Sequence, residues 1–129
     1  MEQKLNLREY FEQHNGFGVL STADSDGRVN AAVYARPHCF EDGTVAFIMT
    51  QKLSYRNLQS NARAAYLFRQ EGEGYRGLRL YLQKLAEDDD QARIDALRRR
   101  AYGDDRDGRH LVVFRVEEVL PLVGTGETG

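Results

Sequence analysis

The run Val45-Ala46-Phe47-Ile48-Met49 is apolar at every position. As a strand it carries apolar side chains on both faces, and such a strand needs both faces covered. A chain of 129 residues can bury one sizeable core. One face of this run therefore belongs to that core. The other needs a ligand or a second subunit, and this is a first pointer to a dimer. The run leads into Thr50-Gln51-Lys52-Leu53-Ser54-Tyr55-Arg56-Asn57-Leu58. Ser54 is placed as the N-cap of a short helix over about Tyr55 to Ser60. Two hydroxyls (Thr50, Ser54), two cations (Lys52, Arg56) and the N–H groups of a helix start are what a bound phosphate needs. No glycine-rich Walker or Rossmann loop occurs, so this is a phosphate site of another kind.

The flanking sequence reads as mainly β. Leu7, Tyr10, Phe11 and His14 form the apolar stripe of a helix over residues 6–14. Asn6 is its N-cap, Glu9 completes a capping box, and Leu5 with Tyr10 makes a staple. His14 is read as a packing residue at the helix end. Phe17 to Thr22 and Arg28 to Arg36 form a hairpin around the turn Asp24-Ser25-Asp26-Gly27. In its second strand Val29, Ala31, Val33 and Ala35 share one face, expected toward the core. Asn30, Ala32, Tyr34 and Arg36 share the other, which suits a wall beside a ligand.

After Pro37 and the turn Glu41-Asp42-Gly43 come the apolar strand, Thr44 to Thr50, and the short helix. Ala64 to Arg69 and Gly77 to Leu85 are the fourth and fifth strands, joined by a flexible Gly72/Gly74 loop. In the latter, Leu78, Leu80 and Leu82 alternate with Arg79, Tyr81 and Gln83. A helix over Gln91 to Tyr102 follows. Its flanking runs Asp88–Asp90 and Arg98–Arg100 complement the helix dipole. Gly103 to Gly108 is a polar loop, Arg109 to Leu120 the last strand, and residues 124–129 a mobile tail. No linker divides the chain. The whole reads as one domain, a six-stranded antiparallel split β-barrel with peripheral helices.

Composition excludes several functions. The formal charge is −2, which gives no bulk attraction to nucleic acid or anionic membrane. Cys39 is the only cysteine, so there is no internal disulfide and no cysteine-rich metal site. The N-terminal residues lack a signal-peptide run and no segment is apolar enough to span a bilayer, so a reducing cytoplasm is the expected setting. No Gly-x-Ser-x-Gly elbow or His-Glu-x-x-His motif occurs. His38 and Cys39 are neighbours on an extended segment and point to opposite faces. Arg109-His110 opens the last strand, where His110 is expected to be structural. Any chemistry therefore falls to a cofactor that the protein binds and orients.

The region from about Gly16 to Val123 resembles the pyridoxamine 5′-phosphate oxidase-like FMN-binding split barrels. The motif pieces are Phe47-Ile48-Met49-Thr50, Ser54-Tyr55-Arg56, Asn57-Leu58, Asn61-Ala62-Arg63 and Tyr66-Leu67-Phe68. The turns Asp26-Gly27-Arg28-Val29-Asn30 and Glu41-Asp42-Gly43 accompany them. The resemblance implies a homodimer with two FMN sites at the subunit interface. Thr50, Lys52, Ser54, Tyr55 and Arg56 would surround the phosphate and ribityl chain. Asn30, Ala31 and Ala32 would lie along the flavin.

Two departures bear on the motif itself. Ser-Arg-Lys of the family is Ser54-Tyr55-Arg56 here, with Lys52 standing in as a cation, and Asn-Pro-Arg is Asn61-Ala62-Arg63. The chain also has no Trp and lacks the family oxidase's C-terminal substrate-gripping segment, which speaks against pyridoxamine phosphate oxidation. The implied activity is a flavin-dependent oxidoreductase passing hydride or electrons to a small acceptor; Tyr34, Arg36 and His38 are candidates for lining the substrate side, each read as structural ahead of catalytic. The alternatives are an FMN electron carrier or redox sensor, the same barrel holding F420 or haem, or an apo, purely structural dimer.

Overall fold

The computed structural model describes residues 6–50, 52–97 and 109–124. In chain order the elements are α1 (Leu7–Gln13), β1 (Gly16–Ala23), β2 (Val29–Val33), β3 (His38–Cys39), β4 (Val45–Met49), α2 (Leu53–Ser60), β5 (Arg63–Gln70), β6 (Gly77–Asp88), α3 (Gln91–Leu97) and β7 (His110–Pro121). The strands form one sheet in the order β2-β1-β5-β6-β7-β4-β3, and every pairing is antiparallel. The architecture is the expected mainly β one with a seventh strand. The extra strand, β3, is only the pair His38 and Cys39, laid against Ala46 and Val45. A two-residue strand has no period to read.

Local chemistry starts α1 and turns the first hairpin as expected. The Asn6 side chain accepts from the Glu9 N–H at 3.1 Å and its amide reaches the Glu9 carboxylate at 3.2 Å. Leu5, the other half of the expected staple, lies outside the described residues. In the β1–β2 turn Asp24 Oδ1 accepts from the N–H groups of Asp26 and Arg28, each at 2.9 Å. Gly27 sits there at φ +84°, where a side chain would be strained. β6 and β7 each run for 12 residues, and their pairing shifts register between Tyr81 and Leu82 and between Lys84 and Ala86. Such irregularities bend a pair of strands. The sheet curls, and one core fills its hollow: Leu20, Phe47, Tyr66, Phe68, Leu80, Leu82, Val112 and Phe114, with Phe11 of α1 and Leu58 of α2.

The curl brings β2 and β4 together although no ladder joins them. Tyr34, just past β2, meets Phe47 of β4 edge to face at 5.7 Å between ring centroids. This is the split in the barrel.

Two expectations about faces are overturned. Val29 and Val33 are 81% and 67% exposed, so the odd residues of β2 do not face the core. The register decides it. Leu20 pairs with Ala32 and Thr22 with Asn30, and paired residues share a face. Leu20 and Thr22 are buried, so the even set of β2 points inward. β4 is buried on both faces, but the chain itself covers the second. Ala46 packs with Ile94 of α3 and Leu111 of β7, flanked by Phe40, Ile48, Leu97 and Val113. The need for a second subunit at that strand falls away. The continuation of α3 expected over Arg98 to Tyr102, the Gly103–Gly108 loop and the tail beyond Gly124 lie outside the described residues.

Ile94 is fully buried under this second layer. Ile94→Ala should destabilise the chain by about 2–4 kcal/mol, the usual cost of such a cavity. Chemical denaturation checks it: a loss of only a few tenths would mean that α3 does not cover β4.

Candidate functional site

A cleft of about 830 Å³ opens at the split. β2 and the segment after it supply Asn30, Ala32, Tyr34 and Arg36; β4 and its exit supply Phe47, Ile48 and Thr50; Lys52, Leu53 and Ser54 come from the start of α2. Arg109 borders the cleft too, as does His38. Its far end reaches Asn15, Gly16 and Glu71. The lining thus combines hydroxyl, amide and cationic groups with apolar and aromatic ones.

The helix start differs from the expected one. The N-cap is Lys52, in extended backbone, and its side chain does not cap the helix. Ser54 is the second helical residue. It is 3% exposed, and its hydroxyl accepts from Asn30 Nδ2 at 3.2 Å. It also hydrogen-bonds Tyr34, whose pKa burial pushes up and this bond partly restrains. Ser54 therefore ties α2 to β2 instead of closing the helix. Among the described residues the first-turn N–H groups have no side-chain acceptor, and this end of the helix borders the cleft. An uncapped helix start carries partial positive charge.

Two further anchors seat α2. Buried Asn57 donates from Nδ2 to Thr22 Oγ1 of β1 at 3.1 Å. Tyr55 turns away from the cleft: its ring stacks on His110 at 4.2 Å and its hydroxyl donates to Glu87 Oε1 at 2.7 Å. Of the residues expected at the site, Asn30, Ala32, Thr50, Lys52 and Ser54 are brought together. Ala31 lies on the outer face of β2, Tyr55 is on the far side of α2, and Arg56 is exposed; none of these three borders the cleft. Arg36 reaches its edge, but its guanidinium donates to the Phe11 and His14 carbonyls at 2.6 and 3.2 Å, holding the end of α1. Arg109 escapes sequence reasoning because a cation opening a strand carries no signal until the sheet curls.

Behind α2, Glu87 is the hub of a polar cluster. It accepts from Tyr55, from Gln59 at 2.7 Å and from Lys84. His110 Nδ1 lies 2.6 Å from Asp89 Oδ1. Glu87, Asp89 and His110 bring one ligand atom each within 4.8 Å of one another. The Lys84 ammonium on Glu87 supplies the charge that a cation would otherwise bring. The Asp run divides its work: Asp88 pairs with Arg93, Asp89 with His110, and Asp90 accepts from the Ala92 N–H at 3.0 Å to cap α3.

No family model matches the chain, and no curated protein matches it. Solved structures do. An FMN-binding protein from Syntrophomonas wolfei subsp. wolfei aligns with a TM-score of 0.72 at 20% identity, over 92% of this chain and 84% of that one. An F420 reductase aligns at 0.66 and 21% identity, over 90% and 98%. A protein provisionally assigned as a pyridoxamine 5′-phosphate oxidase, from Lactobacillus delbrueckii, aligns at 0.68 and 14% identity, over 92% and 93%. At these identities the likeness is one of fold. That fold is the pyridoxamine 5′-phosphate oxidase-like FMN-binding split barrel.

The Glu87 cluster makes stability depend on pH. Burial works to raise the Glu87 pKa, but Lys84, Gln59 and Tyr55 outweigh it and bring the carboxyl from 4.5 to about 2. Burial and the Glu87 carboxylate push the Tyr55 hydroxyl up to about 12. Because the folded pKa of Glu87 is depressed, its stabilisation is present above 4.5 and is lost as pH falls toward about 2. Glu87→Gln should flatten this acid limb, so that its melting temperature falls less than the wild type's between those pH values. Equal slopes would show that no such linkage exists.

Proposed function

We propose that this chain is an FMN-binding oxidoreductase that passes hydride or electrons to a small acceptor. The observation that carries the reading is the start of α2, capped by no described side chain and set beside Thr50, Lys52, Ser54 and Asn30 in a cleft that apolar residues also line. This donor set suits a phosphate, since N–H groups, hydroxyls and a cation converge there. Ala32, Phe47 and Ile48 offer an apolar wall to a flat ring system. FMN, when bound, supplies the redox chemistry. The residues hold and orient it, and Tyr34 and His38 border the space left for a substrate. Solved structures of the same fold include an FMN-binding protein and an F420 reductase, which favours a flavin-type ligand. The lone cysteine suits a reducing compartment.

The working unit in this reading is a homodimer. Its support is the outer face of the sheet, where exposed Val33 and Leu67 flank Val19 in one row, and Ala31, Ser21 and Ala65 form the next. An open apolar face of this kind favours a partner. Val33→Glu combined with Leu67→Glu should shift the protein from dimer to monomer in sedimentation. A wild type that sediments as a monomer would overturn the dimer.

The cofactor is tested by loading the purified protein with FMN and recording its visible spectrum. A protein that stays colourless and does not quench flavin fluorescence would sink the proposal. Lys52→Ala should weaken FMN binding roughly 10- to 100-fold, because it removes a charge-assisted contact of about 1.5–3 kcal/mol. Titration of flavin fluorescence measures it.

A further inference from the structure

The cations at the polar end of the cleft are not the pair found in the sequence motif. Lys52 borders the cleft, whereas Arg56 is exposed on α2 and does not. A second cation comes from much further along the chain. Met49 pairs with His110, and one step along that register sets Arg109 opposite Thr50, where β4 hands over to α2. Arg109 is 4% exposed and borders the same cleft as Thr50, Lys52 and Ser54.

α3 holds this arginine in place. Arg109 Nη2 donates to Asp95 Oδ1 at 2.7 Å, and the Arg109 carbonyl accepts from Gln91 Nε2 at 2.9 Å. The Asp95 side chain is 56% exposed, so the carboxylate stands toward water while the guanidinium is buried. The Asp95 carboxylate offsets the guanidinium's charge, while the helix start beside it adds partial positive charge to the cleft. A guanidinium presents its donors in a planar fork matched to phosphate oxygens, and one tied to Asp95 is already ordered. Exposed Arg56 would first have to be ordered.

We propose that Arg109, together with Lys52, is the phosphate-recognising pair of the cleft, and that Arg109 sets its preference for a phosphorylated flavin over the unphosphorylated one. This rests on the FMN reading above and adds to it the residue that discriminates the ligand's charged end. It also gives α3 a second task, as the element that positions the arginine while covering β4.

The test compares dissociation constants for FMN and riboflavin, by flavin fluorescence, in the wild type and in Arg109→Met, Arg109→Lys, Arg56→Gln and Asp95→Asn. Arg109→Met should weaken FMN binding at least about tenfold and riboflavin binding less than about twofold, the pattern of a lost charge-assisted phosphate contact. Arg109→Lys should recover part of the FMN-to-riboflavin ratio. Arg56→Gln should cost less FMN affinity than Arg109→Met. Near-ultraviolet circular dichroism confirms the fold of each variant. Should Arg109→Met not fold, Arg109→Lys and Asp95→Asn carry the test, each lowering the ratio several-fold. A ratio unchanged in every folded Arg109 and Asp95 variant would overturn the proposal while leaving FMN binding standing. A wild type that binds neither flavin would overturn the FMN reading and this inference together.

Discussion

The open end of this sheet depends on the hydroxyl of Tyr66, which lies 3.1 and 3.0 Å from the carbonyl oxygens of Tyr34 and Ala35. Tyr66 sits on β5, is fully buried, and packs against Phe11, Phe47 and Phe68. Its hydroxyl satisfies the chain leaving β2 at the point where ladder bonds end. Gly18 makes this possible: a Cβ there would fall 2.0 Å from the Tyr66 hydroxyl oxygen. The Arg36 guanidinium continues the tie by gripping the carbonyls at the end of α1. The chain after β2 is thereby turned over the core, and Tyr34 meets Phe47. β2 and β4 touch through side chains while their backbones stay unjoined, and the cleft is the space this leaves.

α2 is held at that gap from three directions, by Asn30 on Ser54, Thr22 on Asn57 and Glu87 on Tyr55, with Leu58 in the core below. Its eight residues have little stability of their own. Tertiary contacts make it a helix and also aim it. The result is a helix start without a side-chain cap, beside hydroxyls and cations gathered from three elements. Polar groups border the cleft there, and Ala32, Phe47 and Ile48 add apolar lining.

Much of this architecture is legible in the amino-acid sequence. Alternation in Leu78, Leu80 and Leu82 identifies β6, the Asp24–Gly27 turn identifies the first hairpin, and the order of short motifs identifies the split-barrel fold. Asn30, Ala32, Thr50, Lys52 and Ser54 are expected near one ligand, and all five border one cleft. The failures share a cause. Alternation along β2 separates two faces without saying which is inside; pairing with Leu20 and Thr22 decides that. The double apolarity of β4 demands two covers without naming them, and α3 proves to be one. Ser54 has the composition of an N-cap, but its hydroxyl is drawn to Asn30 and Tyr34, residues of another element far back in the chain.

The sequence by itself therefore determined the six longer strands, the turns, the number of apolar faces to be covered and the chemical types available to a ligand. These follow from local steric preference and from the two periodicities of side-chain direction, which act within a few residues. Tertiary structure alone decided which face of β2 turns inward, what covers β4, that no described side chain caps the start of α2, and that Arg109 borders the same cleft as Lys52. Each of these depends on strands far apart in the chain meeting when the sheet curls. No local rule carries that information, because the curl comes from the packing of one core and from the bends in β6 and β7.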